Sequence, residues 1–401
     1  MERYEIGVAA ERAGTTVEEL QQLVHLGILQ PDADGRFSDG DVRRVGVIHG
    51  LTASSIPVDL VASALGSHDF SLDFVDDPSY SLFASYSNET FEDVSARTGI
   101  PLNLLTTMRE ATGSATPDPG SRIREDELAI VAAIEYQLSR GFREIAVERH
   151  VRVIGDSMRR VAESAGDVWR SEVMDPLLAA GYNAEQIGAQ SNETSRAWTP
   201  LDNAALLAFY RAQSAHTWLA NIVGAAESTL VRAGLRDRLD RVPAMCFLDI
   251  TGYTRLTQER GDAAAAELAS SLARLVERTS MRYGGRPVKW LGDGVMFHFR
   301  DPGPGVVAAL EMVTGVADAG LPPAHVGLHA GPVIFQEGDY YGATVNVASR
   351  IAEYARPGEV LVSQEVVDAA SEAAVAFREI GPVELKGVGG AMRLHAASLL
   401  A

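Results

Sequence analysis

The residue types best suited to chemistry lie in the last third of the chain. In C-F-L-D-I-T-G-Y-T, Cys246 to Thr254, Asp249 ends an apolar strand and precedes a glycine-containing turn. Backbone N–H groups of Ile250, Thr251, Gly252, Tyr253 and Thr254 can then face an anion. Asp249 has a plain role available, capping the turn, and a chemical one, holding Mg²⁺ against a nucleotide phosphate. In V-K-W-L-G-D-G-V-M-F-H-F, Val288 to Phe299, two apolar runs flank Gly292-Asp293-Gly294 and read as a hairpin. Lys289 and Asp293 allow two readings at this point: a solvent-facing lysine with a turn-forming aspartate, or a cation and a carboxylate of one site. Two carboxylates, Asp249 and Asp293, brought together would suit a hard ion that keeps water and binds substrate phosphates. Asn346 and Arg350 are four apart on a predicted helix and so share a face. Their neighbours Val345, Val347, Ala348 and Ile351 place them at the edge of a packed surface.

The elements that must position these groups follow from hydrophobic periodicity. The order is strand (244–250), helix (262–283), the hairpin, helix (305–319), strand (326–334), helix (345–355) and strand (359–362), with more strands near the end. An order β-α-β-β-α-β followed by additions predicts a ferredoxin-like core within an α+β chain. This domain is expected to span 243–401.

Two zones precede it. Residues 1–75 begin with two short amphipathic helices around Ala13-Gly14-Thr15-Thr16, a helix-turn-helix with Thr16 as N-cap, and 31–39 reads as a small wing. Residues 76–235 are predicted to be helical, for regulation and dimerisation, with the helix-turn-helix pattern repeated at 91–113 and a charged linker at 236–241. The region in front of the last domain is thus expected to be all-α. The histidines His25, His49, His68, His150 and His216 fall here; histidine is the residue type suited to a proton sensor, but no pattern makes any of them one.

Lys and Arg number 35 against 54 Asp and Glu, giving 35 − 54 = −19. That acidity opposes non-specific binding to nucleic acid or to anionic membrane. No apolar run reaches the roughly 18 residues of a membrane span. Met1-Glu2-Arg3-Tyr4-Glu5 is the wrong chemistry for a leader. The one cysteine, Cys246, excludes an internal disulfide or a cysteine metal cluster and reads as a core residue. A cytoplasmic protein is expected.

The quoted motifs carry two family resemblances. Residues 1–75 resemble the DNA-binding head of MerR-type regulators, but Glu18, Glu19 and Gln21 stand where such regulators carry arginines. With five Arg against eleven Asp plus Glu in residues 1–70, the head is expected to make protein contacts rather than bind nucleic acid. Residues 243–401 resemble the catalytic domain of class III nucleotide cyclases, and the whole layout is similar to soluble actinobacterial members with a helical regulatory region in front. The resemblance makes Asp249 and Asp293 the metal ligands for two Mg²⁺ or Mn²⁺ ions per site. It makes Lys289 and Asp339 the adenine readers, Asn346 the ribose-orienting residue and Arg350 the transition-state cation. Residues 250–254 and Lys386, in Glu384-Leu385-Lys386-Gly387, would bind phosphate. It implies conversion of ATP to 3′,5′-cyclic AMP and pyrophosphate by a head-to-tail homodimer whose sites are shared between protomers. A domain that had lost turnover would lack one of these groups, and none is missing. A diguanylate cyclase would need a Gly-Gly-Asp/Glu-Glu-Phe turn where this chain has Leu291-Gly292-Asp293-Gly294. The effector sensed by the first 235 residues stays open among a proton, a lipid or other small molecule, and a protein.

Overall fold

A computed structural model describes residues 3–67, 70–77, 80, 85–235, 242–252, 258, 261–292, 294–370 and 375–400, for 262–266 the backbone only. The chain divides into two units, Met1–Ala226 and Glu227–Ala401.

In the first unit, β1 (Arg3–Tyr4) pairs antiparallel with β2 (Phe37–Ser38), bracketing helices Ile6–Ala13 and Val17–His25. Gly14 takes the left-handed conformation between them, and the Thr16 side chain accepts from Glu19 N, as its N-cap position predicts. The pattern recurs: β3 (Tyr86–Thr90) and β4 (Arg122–Arg124) bracket helices Phe91–Thr98 and Leu102–Ala111. Ser38 and Thr90 each build a capping box, with Asp41 and Asp93 as the reciprocal acids. Leu20, Leu29, Phe37 and Val45 are buried in one core and Phe91, Leu104, Met108 and Ile134 in another. The region expected to be all-α therefore carries two small ribbons, because each helix pair needs its flanking chain tied back. Helix Glu144–Trp169 and most of helix Ala184–Arg232, whose last residues fall in the second unit, belong here too. Residues 236–241, read above as a linker, lie outside the described residues.

In the second unit, seven strands form one sheet: β5 (Ala244–Ile250), β6 (Gly285–Leu291), β7 (Gly294–Phe299), β8 (Ala324–Ala330), β11 (Val360–Ser363), β12 (Val375–Glu384) and β13 (Ala391–Leu399). Among the described residues two short strands, β9 (Ile334–Gln336) and β10 (Asp339–Tyr341), pair with each other and not with the large sheet. The sheet order is β12-β13-β11-β8-β5-β7-β6. Within the run β8-β5-β7-β6 every neighbouring pair is antiparallel.

From Ala244 to Leu248 β5 is buried on both faces, which explains the apolar run that precedes Asp249. Ala244, Cys246, Leu248 and Ile250 meet Leu272 and Val276 of helix Asp262–Arg282 and Val306 and Met312 of helix Pro302–Asp318. Met245 and Phe247 face the other way, toward Ala348 and Ala352 of helix Ala343–Tyr354. The Leu, Ile, Val, Phe and Met side chains among them each contribute about 1.5–3 kcal/mol by leaving water. Burial also pushes the Cys246 thiol pKa well up, so it packs as a small neutral residue. Helix Ala343–Tyr354 lies unusually close to the sheet: a Cβ on Gly327 would stand 2.1 Å from Ala352 N.

One predicted strand is two. The run 326–334 breaks after Ala330, where Pro332 donates no backbone hydrogen bond and its carbonyl accepts from Thr344 Oγ1 at 2.7 Å. Ile334 accordingly belongs to the β9–β10 ribbon. No described helix is long and apolar enough to cross a membrane.

Candidate active site

Side chains directly opposite one another in a sheet share a face. Asp249 pairs with Gly294 on β7 and with His325 on β8, and Gly294 in turn faces Leu291 on β6. One row inward, Phe247 faces Gly327 and Met296, and Met296 faces Lys289. Asp249 and Lys289 therefore stand on one face, the face covered by helix Ala343–Tyr354. Strand spacing puts their Cα atoms about 12 Å apart, two strands across and two residues along.

Asp249 is the penultimate residue of β5, with 47% of its side chain exposed. His325 Nε2 approaches its Oδ2 at 3.6 Å, and His325 Nδ1 lies 3.3 Å from Thr251 Oγ1. A Cβ on Gly294 would come within 3.3 Å of Asp249 Oδ1 and 3.0 Å of Leu248 O, so glycine keeps the space beside the carboxylate open. An open hard-oxygen site next to a glycine fits Mg²⁺ or Mn²⁺. Asp293, the second expected ligand, lies outside the described residues, as do Tyr253 and Thr254. Among the described residues no group of three or more acidic, His or Cys side chains forms a ready-made metal cage. The Thr251 N–H, read above as a phosphate donor, donates to Pro323 O at 2.9 Å and is committed inside the domain. Ile250 is buried and Gly252 exposed, with φ at 78°.

Lys289 and Asp339 meet. Lys289 Nζ lies 2.5 Å from Asp339 Oδ2, although fifty residues separate them (|i−j|=50). The other carboxylate oxygen, Oδ1, accepts from Tyr340 N at 2.8 Å. On helix Ala343–Tyr354, Asn346 is exposed and Arg350 half-buried. Arg350 Nη1 donates to both oxygens of Glu353, at 2.5 and 2.6 Å. Those hydrogen bonds, with the adjacent negative charge, hold the Arg350 pKa above its ordinary value. Lys386 is exposed in the turn between β12 and β13, one residue beyond Leu385 and outside any strand. His325, Tyr340 and Glu353 were not singled out from the sequence. Glu353 was legible there as the residue three beyond Arg350 on a helix; the other two needed the strand register.

Residues 236–397 match the family model described as the adenylate and guanylate cyclase catalytic domain. A pH-sensitive adenylate cyclase of Mycobacterium tuberculosis is 28% identical over 313 residues, 75% of this chain and 76% of that protein. An adenylate cyclase of Streptomyces coelicolor is 32% identical over 148 residues, covering 37% of this chain and 39% of its own. Among solved structures, the adenylyl cyclase CyaB from P. aeruginosa superposes with a TM-score of 0.36 at 22% identity, over 39% of this chain and 93% of its own. The family match, together with these curated relatives, identifies residues 236–397 as an adenylate and guanylate cyclase catalytic domain.

Proposed function

We propose that this chain is an adenylate cyclase, converting ATP to 3′,5′-cyclic AMP and pyrophosphate on a ferredoxin-like βαββαβ core. The antiparallel order β8-β5-β7-β6 supports that core. The observation that carries the choice of substrate is the Lys289–Asp339 pair at 2.5 Å, on the same face as Asp249. A lysine donor beside a carboxylate acceptor matches the ring-nitrogen acceptor and exocyclic amine of adenine. Guanine offers an N–H and a carbonyl at those places.

Asp249 and Asp293 would hold Mg²⁺ or Mn²⁺, which when bound lowers the pKa of the ribose 3′-OH and neutralises triphosphate charge. Lys289 and Asp339 hold the base, and Asn346 orients the ribose. Arg350, always protonated, meets the charge that develops on the transferring phosphoryl group as pyrophosphate leaves. Lys386 would meet the outer phosphates, together with the loop N–H groups after Asp249 other than that of Thr251, which is bonded to Pro323 O.

The active unit is a homodimer with shared sites. Trp290 and Leu291 on β6 beside Lys289, Tyr341 on β10 beside Asp339, and Ile334 and Phe335 on the paired strand β9 are exposed large hydrophobics. Large apolar side chains exposed together in this way mark a surface that a protein partner covers. The first unit regulates turnover, and its first helix pair is a MerR-like fold used without nucleic acid, since Glu18 and Glu19 occupy the first turn of the second helix. A small molecule, a lipid or a proton is the effector class; the name of the mycobacterial relative puts the proton first for testing. The protein works in the cytoplasm.

The test is complementation. Asp249→Ala and Arg350→Ala proteins should each lose cyclic AMP formation and, when mixed, regain part of it through one intact shared site. Full activity in Asp249→Ala would end the metal assignment, and an absence of rescue would end the shared-site assignment.

A further inference from the structure

The Asp339 carboxylate is fixed from two sides: Oδ2 meets Lys289 Nζ and Oδ1 accepts the backbone N–H of Tyr340. The second bond is only as well placed as Tyr340 itself, which sits on the short β9–β10 ribbon outside the main sheet. A ribbon of two three-residue strands has little stability of its own. Its anchor is the Tyr340 side chain, 7% exposed. The Tyr340 ring stacks on His298 at 4.5 Å with planes 8° apart and meets Phe335 at 5.0 Å. The phenol oxygen accepts from Arg286, whose guanidinium also lies over the Tyr340 ring at 5.5 Å.

Arg286 and His298 are cross-strand partners on β6 and β7, on the same face as the Lys289–Met296 pair. The two strands that carry the lysine therefore also grip the tyrosine next to the aspartate. Burial, and secondarily the charge of Arg286, hold the His298 pKa at about 4. The stack is thus one neutral ring on another at neutral pH, and Arg286 meets no second cation there.

We infer that Tyr340, clamped by His298 and Arg286, is a positioning residue that fixes the Asp339 carboxylate and so sets the preference for adenine over guanine nucleotides. The inference rests on the reading of Lys289 and Asp339 as the base-recognising pair. Tyr340 touches no reacting atom; it acts through the angle and distance of one carboxylate. A carboxylate free to rotate still attracts Lys289 but no longer rejects the guanine carbonyl, so selectivity should fall before turnover does.

The experiment uses the full chain and variants Tyr340→Phe, Tyr340→Leu and Asp339→Ala, with initial rates on ATP and GTP and calorimetric binding of both nucleotides. Tyr340→Leu should raise KM for ATP about tenfold and cut the ATP-over-GTP ratio of kcat/KM by about tenfold, the value of one well-made polar contact. Its kcat on ATP should change less than threefold. Tyr340→Phe, which keeps the stack and loses the Arg286 bond, should fall between it and the wild type and serves if the leucine variant fails to fold. In an Asp339→Ala background the Tyr340 substitutions should have no further effect on selectivity. An unchanged ratio in both Tyr340 variants, or equal effects with and without Asp339, would overturn the clamp. If Asp339→Ala itself leaves the ratio unchanged, the base-recognition reading fails first and the clamp with it. Wild-type protein that binds both nucleotides equally would overturn the base-recognition reading in the same way, without any turnover.

Discussion

The Arg350 guanidinium is held by both carboxylate oxygens of Glu353, one helical turn along the same helix. The side chains are 39% and 56% exposed, so the pair is a solvent-screened one that a triphosphate can displace. It still competes with substrate for the one cation assigned to the transition state. Glu353→Gln should therefore raise kcat/KM for ATP about two- to fivefold at low salt, the range of a modest exposed ion pair, and the gain should shrink at high salt. A fall in kcat instead would mean that Glu353 holds Arg350 in its working position.

A second contact concerns the carboxylate of Asp249. His325 lies 3.6 Å from it and is itself tied to Thr251. Partners behind a metal ligand orient it, and their loss costs about 10–100-fold in metal affinity. His325→Leu should raise the Mn²⁺ concentration for half-saturation at least tenfold by electron paramagnetic resonance, with His325→Gln closer to the wild type. Identical Mn²⁺ binding in all three would show that the histidine does nothing for Asp249.

The elements of the catalytic unit were legible because their periods are clean. β5 runs apolar from Ala244 to Leu248, the hairpin turns on Gly292 and Gly294, and the helix holding Asn346 and Arg350 shows its packed face at i, i+3 and i+4. Lys289 and Asp339 were paired through family resemblance, and their contact appears only once β10 folds back beside β6. No local pattern announces it: the two are fifty residues apart in sequence (|i−j|=50) and Asp339 sits in a three-residue strand. His325 was illegible for a related reason. Its neighbour across the sheet is fixed by the register of β5 against β8, which hydrophobic alternation alone does not set when both faces are buried. The ribbons of the first unit escaped because strands of two or three residues leave no period to read.

The approach of helix Ala343–Tyr354 to the sheet gives a third prediction. Any Cβ on Gly327 meets backbone atoms of Ala352, at 2.1 Å from N and 2.6 Å from Cα, so no side-chain rotation relieves it. Gly327→Ala must push the helix outward, and with it Asn346 and Arg350. The substitution should cost about 3 kcal/mol of stability and lower kcat more than KM, since Arg350 acts on the transition state. Thermal unfolding and steady-state kinetics read the two effects. Wild-type values for both would mean that the helix is not seated on this glycine.

Acid should weaken the catalytic unit through His298. Its pKa is lowered from 6.5 to about 4, chiefly by burial and then by Arg286, so between those values the unfolded chain takes the proton and the folded one refuses it. Stability from this group is therefore complete above pH 6.5 and lost as pH falls toward 4, by at most about 3 kcal/mol at 1.36 kcal/mol per pKa unit. His329, also lowered by burial and partly opposed by Glu365, adds in the same direction. His298→Phe keeps a ring against Tyr340 and removes the titration. Its melting temperature should fall less steeply than that of the wild type between pH 6.5 and 4, and parallel curves would refute the assignment. Because the carboxylates of both proteins titrate alike, the difference between the two curves isolates the histidine.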